Sequence, residues 1–186
     1  MKRVFDFIVA FSASVLLLPL ALCVALAVAL TSRGPVLYWS QRVGRNNALF
    51  AMPKFRTMKT GTPAVATHML TDAASRLTPI GGFLRRSSLD EIPQLWCVLR
   101  GQMSLVGPRP ALFNQDDLIA QRTAVGVHHL RPGITGWAQV NGRDELSIPV
   151  KTEFDRQYLE RRSLSFDLTI LLMTLGKLAG DKTVAH

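Results

Sequence analysis

The chain has 186 residues, a formal net charge of +9 from 22 Lys and Arg against 13 Asp and Glu, and only two cysteines. That length allows one domain with a real core, and the charge asks for an anionic partner: nucleic acid, a phosphorylated substrate or anionic lipid. Cys23 and Cys97 lie far apart in apolar runs, which excludes a disulfide framework or a zinc-type spacing and reads as reduced packing residues.

Residues 7–30 are almost wholly apolar, long enough for a membrane helix of ~20 residues. A signal peptide would have a shorter apolar core, roughly 7–15 residues. A straight span would put its two flanks on opposite sides. Lys2 and Arg3 precede the run, and Arg33, Arg42 and Arg45 follow it, so the positive-inside rule places both flanks in the cytoplasm. Pro19 sits mid-run and removes a backbone donor. A helix broken there has arms of about 18 Å, short of the ~30 Å hydrocarbon core. It can therefore enter and leave by one face, with Ser12 and Ser14 as candidates to satisfy the freed backbone.

Residues 36–43 and 49–58 read as strands about a turn at 44–47. Alternation puts Lys54 and Arg56 on one face, where two cations suit a diphosphate or form an ordinary solvated face. Residues 85–95, Arg-Arg-Ser-Ser-Leu-Asp-Glu-Ile-Pro-Gln-Leu, organise the rest. Ser88 and Glu91 have capping-box spacing, and Leu89, Ile92, Leu95, Trp96 and Leu99 continue at helical spacing to a stop at Gly101. Asp90 and Glu91 then sit at a helix N-terminus, where they balance the helix dipole or share the position with a phosphate. Pro108 and Pro110 hold Arg109 on a stiff, non-helical backbone, presenting a planar fork suited to phosphate.

Residues 111–125 read as a helix, His128 and His129 as structural residues, 131–133 as a turn and 134–140 as a strand. Val150, Phe154 and Tyr158 share a helical face. The final apolar run, 164–178, carries Asp167, Thr169 and Thr174; it packs in the core or lies in the membrane interface.

Five blocks in order carry a resemblance to the bacterial sugar transferases, the monotopic phosphoglycosyl transferases. They are Lys-Arg-Val-Phe-Asp at 2–6, Lys-Phe-Arg-Thr-Met at 54–58, Ser-Leu-Asp-Glu-Ile-Pro-Gln-Leu at 88–95, Ser-Leu-Val-Gly-Pro-Arg-Pro at 104–110 and Arg-Pro-Gly-Ile-Thr-Gly-Trp-Ala-Gln-Val-Asn-Gly-Arg at 131–143. The resemblance covers nearly the whole chain and has the look of a minimal catalytic form. It implies an α+β, mainly helical monotopic membrane protein. Residues 1–32 would be a re-entrant, Pro19-broken membrane helix, continuous with a catalytic domain at 33–186 that holds a short β-hairpin and amphipathic interfacial helices.

The resemblance further implies transfer of a sugar 1-phosphate from a nucleotide diphosphosugar to undecaprenyl phosphate at the cytoplasmic face of the bacterial inner membrane. Asp90 would be the nucleophile, Glu91 its dyad partner, and the pair would hold Mg²⁺. Lys54, Arg56, Arg85, Arg109, Gln139, Arg143 and Asp155 would contact substrate. Inner-membrane lipids would be partners, as would a second copy of the chain or downstream glycosyltransferases, and nucleic acid would not. Three departures stand out. Leu18 precedes Pro19 where many relatives have Ser, leaving Ser14 as a substitute, Gly82 stands where relatives often have Lys or Arg, and Arg161-Arg162 replaces an Asn-aromatic pair.

Two rivals remain. A membrane-anchored protein binding nucleic acid or anionic lipid without catalysis would use the same charge, but the basic residues are not interleaved with stacking aromatics. A phosphohydrolase using the same dyad would release free sugar phosphate without a lipid acceptor.

Overall fold

The computed structural model describes residues 1–63, 65, 72–142 and 146–180. It is α+β and mainly helical. Helix α1 (Lys2–Thr31) is followed by an antiparallel hairpin, β1 (Leu37–Val43) and β2 (Leu49–Phe55), in the register Tyr38↔Lys54 and Val43↔Leu49. Its connection is a 3₁₀ turn at Arg45–Asn47, with Asn46 and Asn47 left-handed, a conformation asparagine tolerates well. Helices α2 (Gly81–Arg86) and α3 (Leu95–Leu99) flank a 3₁₀ segment, Leu89–Gln94. Strand β3 (Ser104–Val106), helix α4 (Asp116–Ala124), strand β4 (Gly133–Thr135) and helices α5 (Trp137–Val140), α6 (Ile148–Arg161) and α7 (Leu164–Gly180) complete the chain. β3 and β4 pair in parallel.

Several boundaries differ from the sequence reading. The expected strand at 134–140 stops at Thr135 and turns into α5. The Gly136 backbone is pressed so close that a Cβ there would lie 2.1 Å from the Gly107 carbonyl, and the Val140 N–H returns to the Gly136 carbonyl at 3.1 Å. The helix expected from residue 111 begins only at Asp116, because Leu112 is bridged to Arg42 and its N–H is taken by Gln115 Oε1 at 2.8 Å. α6 is rotated from its expected face: Thr152, Asp155 and Tyr158 are buried while Val150 is exposed. Gly101 ends α3 with a left-handed φ of +80°, as expected. α7 resolves its two alternatives by doing both on opposite faces. Phe166, Asp167 and Ile170 are buried, and Leu164, Leu168, Leu172 and Leu175 form an exposed stripe.

Helix α1 is docked at both ends. Ala10 joins a core with Val98, Met103, Tyr158 and Ile170, and Val24 and Val28 join a second with Phe55 and Leu84. Between Ala10 and Val24 nothing in the helix is buried, and large apolar side chains such as Phe11, Leu16 and Leu22 are exposed. Among the described residues it is the helix long and apolar enough to cross a membrane. Pro19 lies inside this one helical element. Ser14 does not compensate the missing Pro19 N–H. Its hydroxyl donates to the Ala10 carbonyl at 2.7 Å, not to the carbonyl of Val15 that a residue with an N–H at 19 would reach.

Polar cross-links hold the two ends. Asp6, almost fully buried, accepts from Ser104 Oγ at 2.8 Å and from the Leu105 N–H at 3.3 Å. Lys2 Nζ reaches Asp167 at 2.5 Å, and Tyr158 Oη donates to the other Asp167 oxygen at 2.6 Å. Arg3 donates to the Val98 and Leu99 carbonyls at 2.5 and 2.8 Å, capping α3. Asp6→Ala strands a buried hydroxyl and a backbone N–H. It should cost about 2–4 kcal/mol and be read as a lowered thermal midpoint in detergent.

Candidate active site

Lys54 near the end of β2 faces the 3₁₀ segment that carries Asp90 and Glu91. That segment starts from Ser88, whose φ of 55° is left-handed. A capping residue normally has extended backbone. Here the Ser88 hydroxyl makes no cap, and the Glu91 N–H bonds the Ser88 carbonyl at 3.1 Å instead. The expected capping box therefore does not form. The acids open a short 3₁₀ turn rather than a long α-helix.

Lys54 Nζ lies 2.7 Å from Glu91 Oε1 and 3.9 Å from Asp90 Oδ2. Arg109 Nη2 donates to the same Glu91 oxygen at 3.1 Å. Arg85 Nε donates to Thr57 Oγ1 at 3.0 Å, and its charge acts on Asp90. The Arg109 side chain is 39% exposed, so its guanidinium reaches solvent while binding Glu91. Three cations against two carboxylates leave the site net positive.

The two neighbouring acids have opposite electrostatics. Burial pushes Asp90 up to about 6, helped by the Glu91 charge and opposed by Lys54, Arg85 and Arg109. Burial also acts on Glu91, but the charges and hydrogen bonds of Lys54 and Arg109 together outweigh it and hold its carboxyl well below the usual range. Glu91 is thus a fixed anion and Asp90 a carboxylate poised near neutrality. Such a split marks different roles for adjacent acids.

The structure gathers Lys54, Asp90, Glu91 and Arg109, with Arg85 alongside. It places three other candidates elsewhere. Arg56 lies beyond the end of β2, where alternation lapses. Its guanidinium is spent on the carbonyls of residues 32–35, including Ser32 at 2.9 Å, Arg33 at 2.6 Å and Pro35 at 2.6 Å. It fastens the segment that leaves α1, not the last carbonyls of the helix itself. Asp155 is 1% exposed and bound to Arg122 at 2.5 Å. Gln139 is buried, with Nε2 on the Ile134 carbonyl at 3.3 Å. Arg143 lies outside the described residues. Thr57, which orients Arg85, and Arg122 were not singled out in the sequence. Thr57 was legible as the neighbour of a basic pair, whereas Arg122 carried no local signal.

Comparison with known proteins now gives this geometry a family. Residues 1–181 match the model for the bacterial sugar transferases, and the chain belongs to that family. It is similar to the UDP-glucose:undecaprenyl-phosphate glucose-1-phosphate transferase of Escherichia coli K12, 39% identical over 95% of this chain and 40% of that protein. It is also similar to the undecaprenyl-phosphate glucose phosphotransferase of Komagataeibacter xylinus, 42% identical over 95% of this chain and 35% of that protein. The exopolysaccharide production protein ExoY of Rhizobium meliloti is 37% identical over 94% of this chain and 83% of its own length. The chain therefore spans less than half of the first two relatives and most of the third.

The pH behaviour of the dyad follows from these charges. A carboxyl whose folded value is raised favours folding below its unfolded value of about 4, and that contribution is lost as pH rises through about 6. Asp90→Asn should therefore stabilise the metal-free protein by about 2 kcal/mol near pH 8, with the gain vanishing near pH 3. Glu91→Gln removes a neighbouring negative charge and releases Lys54 toward Asp90. Carboxyl NMR of the metal-free variant should show Asp90 titrating at lower pH than in the parent protein.

Proposed function

We propose that this chain transfers a sugar 1-phosphate from a nucleotide diphosphosugar, with UDP-sugars as the donor class, to undecaprenyl phosphate, with Asp90 as the nucleophile. The carrying observation is the buried Asp90 carboxyl beside a Glu91 held by Lys54 at 2.7 Å and Arg109 at 3.1 Å. Relatives named as undecaprenyl-phosphate glucose-1-phosphate transferases support the substrate class.

An Asp90 oxygen attacks the β-phosphorus of the donor. The bond from that phosphorus to the bridging oxygen breaks, and the nucleoside monophosphate leaves with the electron pair. An acyl phosphate links the sugar phosphate to Asp90. A phosphate oxygen of the lipid then attacks the same phosphorus, and the bond to Asp90 breaks, restoring the carboxylate. The product is undecaprenyl-diphospho-sugar, the first membrane-bound step of surface-glycan assembly. Lys54, Arg85 and Arg109 meet charge on the transferring phosphoryl group. Glu91 holds Lys54 and Arg109 in place.

In this reading Asp90 and Glu91 would hold Mg²⁺ once donor phosphate brings its negative charge to the site. Two adjacent hard carboxylates, completed by substrate phosphate and water, are what this ion takes, and among the described residues no third acidic, His or Cys side chain joins them. Bound there, it supplies further neutralisation of the diphosphate.

The membrane topology proposed is re-entrant, with both flanks of α1 at the cytoplasmic face of the inner membrane. Its support is the docking of both helix ends on one domain, with exposed apolar side chains between. Lipid substrate would then reach the site from the bilayer along α1.

Two experiments test this reading. Incubated with its nucleotide sugar and Mg²⁺ alone, the enzyme should gain the mass of a sugar phosphate on the Asp90 peptide and release nucleoside monophosphate before any lipid is added. Asp90→Asn should lose both, and chelation should stop turnover until Mg²⁺ is restored. Sequential kinetics with an unmodified peptide would replace the nucleophile by direct lipid attack. Release of free sugar phosphate without acceptor would mark a hydrolase. For topology, single cysteines at Lys2 and Arg45 in a cysteine-free background should both resist an impermeant thiol reagent in intact cells. Labelling at Lys2 alone would make α1 a simple span.

A further inference from the structure

Arg109 is carried by a locally stiff segment that no strand ladder docks onto the rest of the fold. Pro108 and Pro110 supply no N–H, so the segment cannot join a strand ladder through those positions. Its carbonyls must still find donors. Four successive ones are held from three sides. The Pro108 carbonyl accepts from the Gly133 N–H at 2.9 Å, Arg109 from Arg122 Nη1 at 2.8 Å, Pro110 from Arg42 Nη1 at 3.2 Å and Ala111 from the Val43 N–H at 3.0 Å.

The Arg122 contact is the costly one. Arg122 is 7% exposed, and its charge is balanced by Asp155, which is 1% exposed. Nε and Nη2 both donate to Asp155 Oδ2, at 2.8 and 2.5 Å, while Nη1 points away to the Arg109 carbonyl. A buried ion pair seldom stabilises a fold better than well-packed apolar side chains would. Joining α4 to α6 alone does not call for one. The planar fork does what an apolar pair cannot: it ties α6 to the carbonyl of Arg109, the peptide group next to the Cα that carries the side chain.

We propose that Arg122 and Asp155 are positioning residues for Arg109, with Asp155 orienting Arg122 and Arg122 fixing the Arg109 carbonyl. The guanidinium that grips Glu91, and that meets substrate phosphate in the function proposed above, then starts from a fixed point. The substrate role rests on that transferase reading; the backbone clamp does not.

Arg122→Lys keeps the charge for Asp155 but loses the fork that spans both partners. Asp155→Asn keeps the shape and removes the balancing charge. Each should be compared with Arg109→Ala and with the corresponding double variant in a thermodynamic cycle. Arg122→Lys should lower kcat/KM for the nucleotide sugar about tenfold when Arg109 is present and less than twofold in the Arg109→Ala background. Equal losses in both backgrounds would show a general structural role and overturn the proposal.

Amide hydrogen exchange on the same variants reads the clamp without activity. Exchange across residues 107–112 and at Gly133 should speed up roughly tenfold while α2 and α3 stay protected. Unchanged exchange there, or a uniform rise over the whole chain, would overturn the clamp. If the parent protein releases no nucleotide from any nucleotide sugar, the transferase reading falls and exchange alone decides the positioning role. If one variant fails to fold, the other carries the same comparison.

Discussion

Two adjacent carboxylates largely withdrawn from water cannot both remain charged unless cations are brought to them. Lys54 is the cation on which that depends. It touches Glu91 at 2.7 Å and approaches Asp90 at 3.9 Å, so one ammonium serves both acids unequally. The inequality gives the neighbours different chemistry. Glu91 is paired twice and stays ionised, while Asp90 is left with less compensation and is pushed up to about 6. The hairpin, the 3₁₀ segment and the proline-flanked loop must meet within hydrogen-bonding distance for this to occur. Much of the local architecture serves that meeting.

The same economy of charge anchors the apolar helix. A helix with exposed leucines along its middle gains little from packing there, so its attachment is concentrated at the ends. At the start, Lys2, Arg3 and Asp6 bind Asp167, the α3 carbonyls and β3. At the end, Arg56 gathers the carbonyls of residues 32–35. Several basic residues are thus occupied by backbone carbonyls and buried acids. The net charge of the chain overstates the positive surface available to an anionic partner.

Both helix ends lie on one domain, and α7 carries a second exposed apolar stripe of Leu164, Leu168, Leu172 and Leu175. Apolar patches of this extent on a folded chain mark an interaction surface. The adjacent acids sit on the segment that α1 packs against: Leu89 and Ile92, on either side of Asp90 and Glu91, contact the cluster containing Val24 and Val28. Helix docking and dyad placement are therefore one packing problem.

The sequence by itself determined the apolar helix, the hairpin, the adjacent acids and the stiff setting of Arg109. Each rests on local rules: an unbroken apolar run, strand alternation about a turn, chain adjacency, and the fixed φ of proline. The motifs also carried the family resemblance. Tertiary structure alone decided which cations face the dyad, because long basic side chains choose among partners distant in sequence. Alternation put Lys54 and Arg56 together, yet the strand ends at Phe55 and Arg56 turns to the carbonyls of residues 32–35 that follow α1. Asp155 looked like a ligand for substrate and is instead the counter-charge of Arg122, a residue 33 positions earlier in the chain. The capping box at Ser88 and Glu91 had the right spacing, but with Ser88 left-handed its hydroxyl makes no cap. Spacing establishes what a side chain can reach, and the backbone of a neighbouring element decides what it does reach.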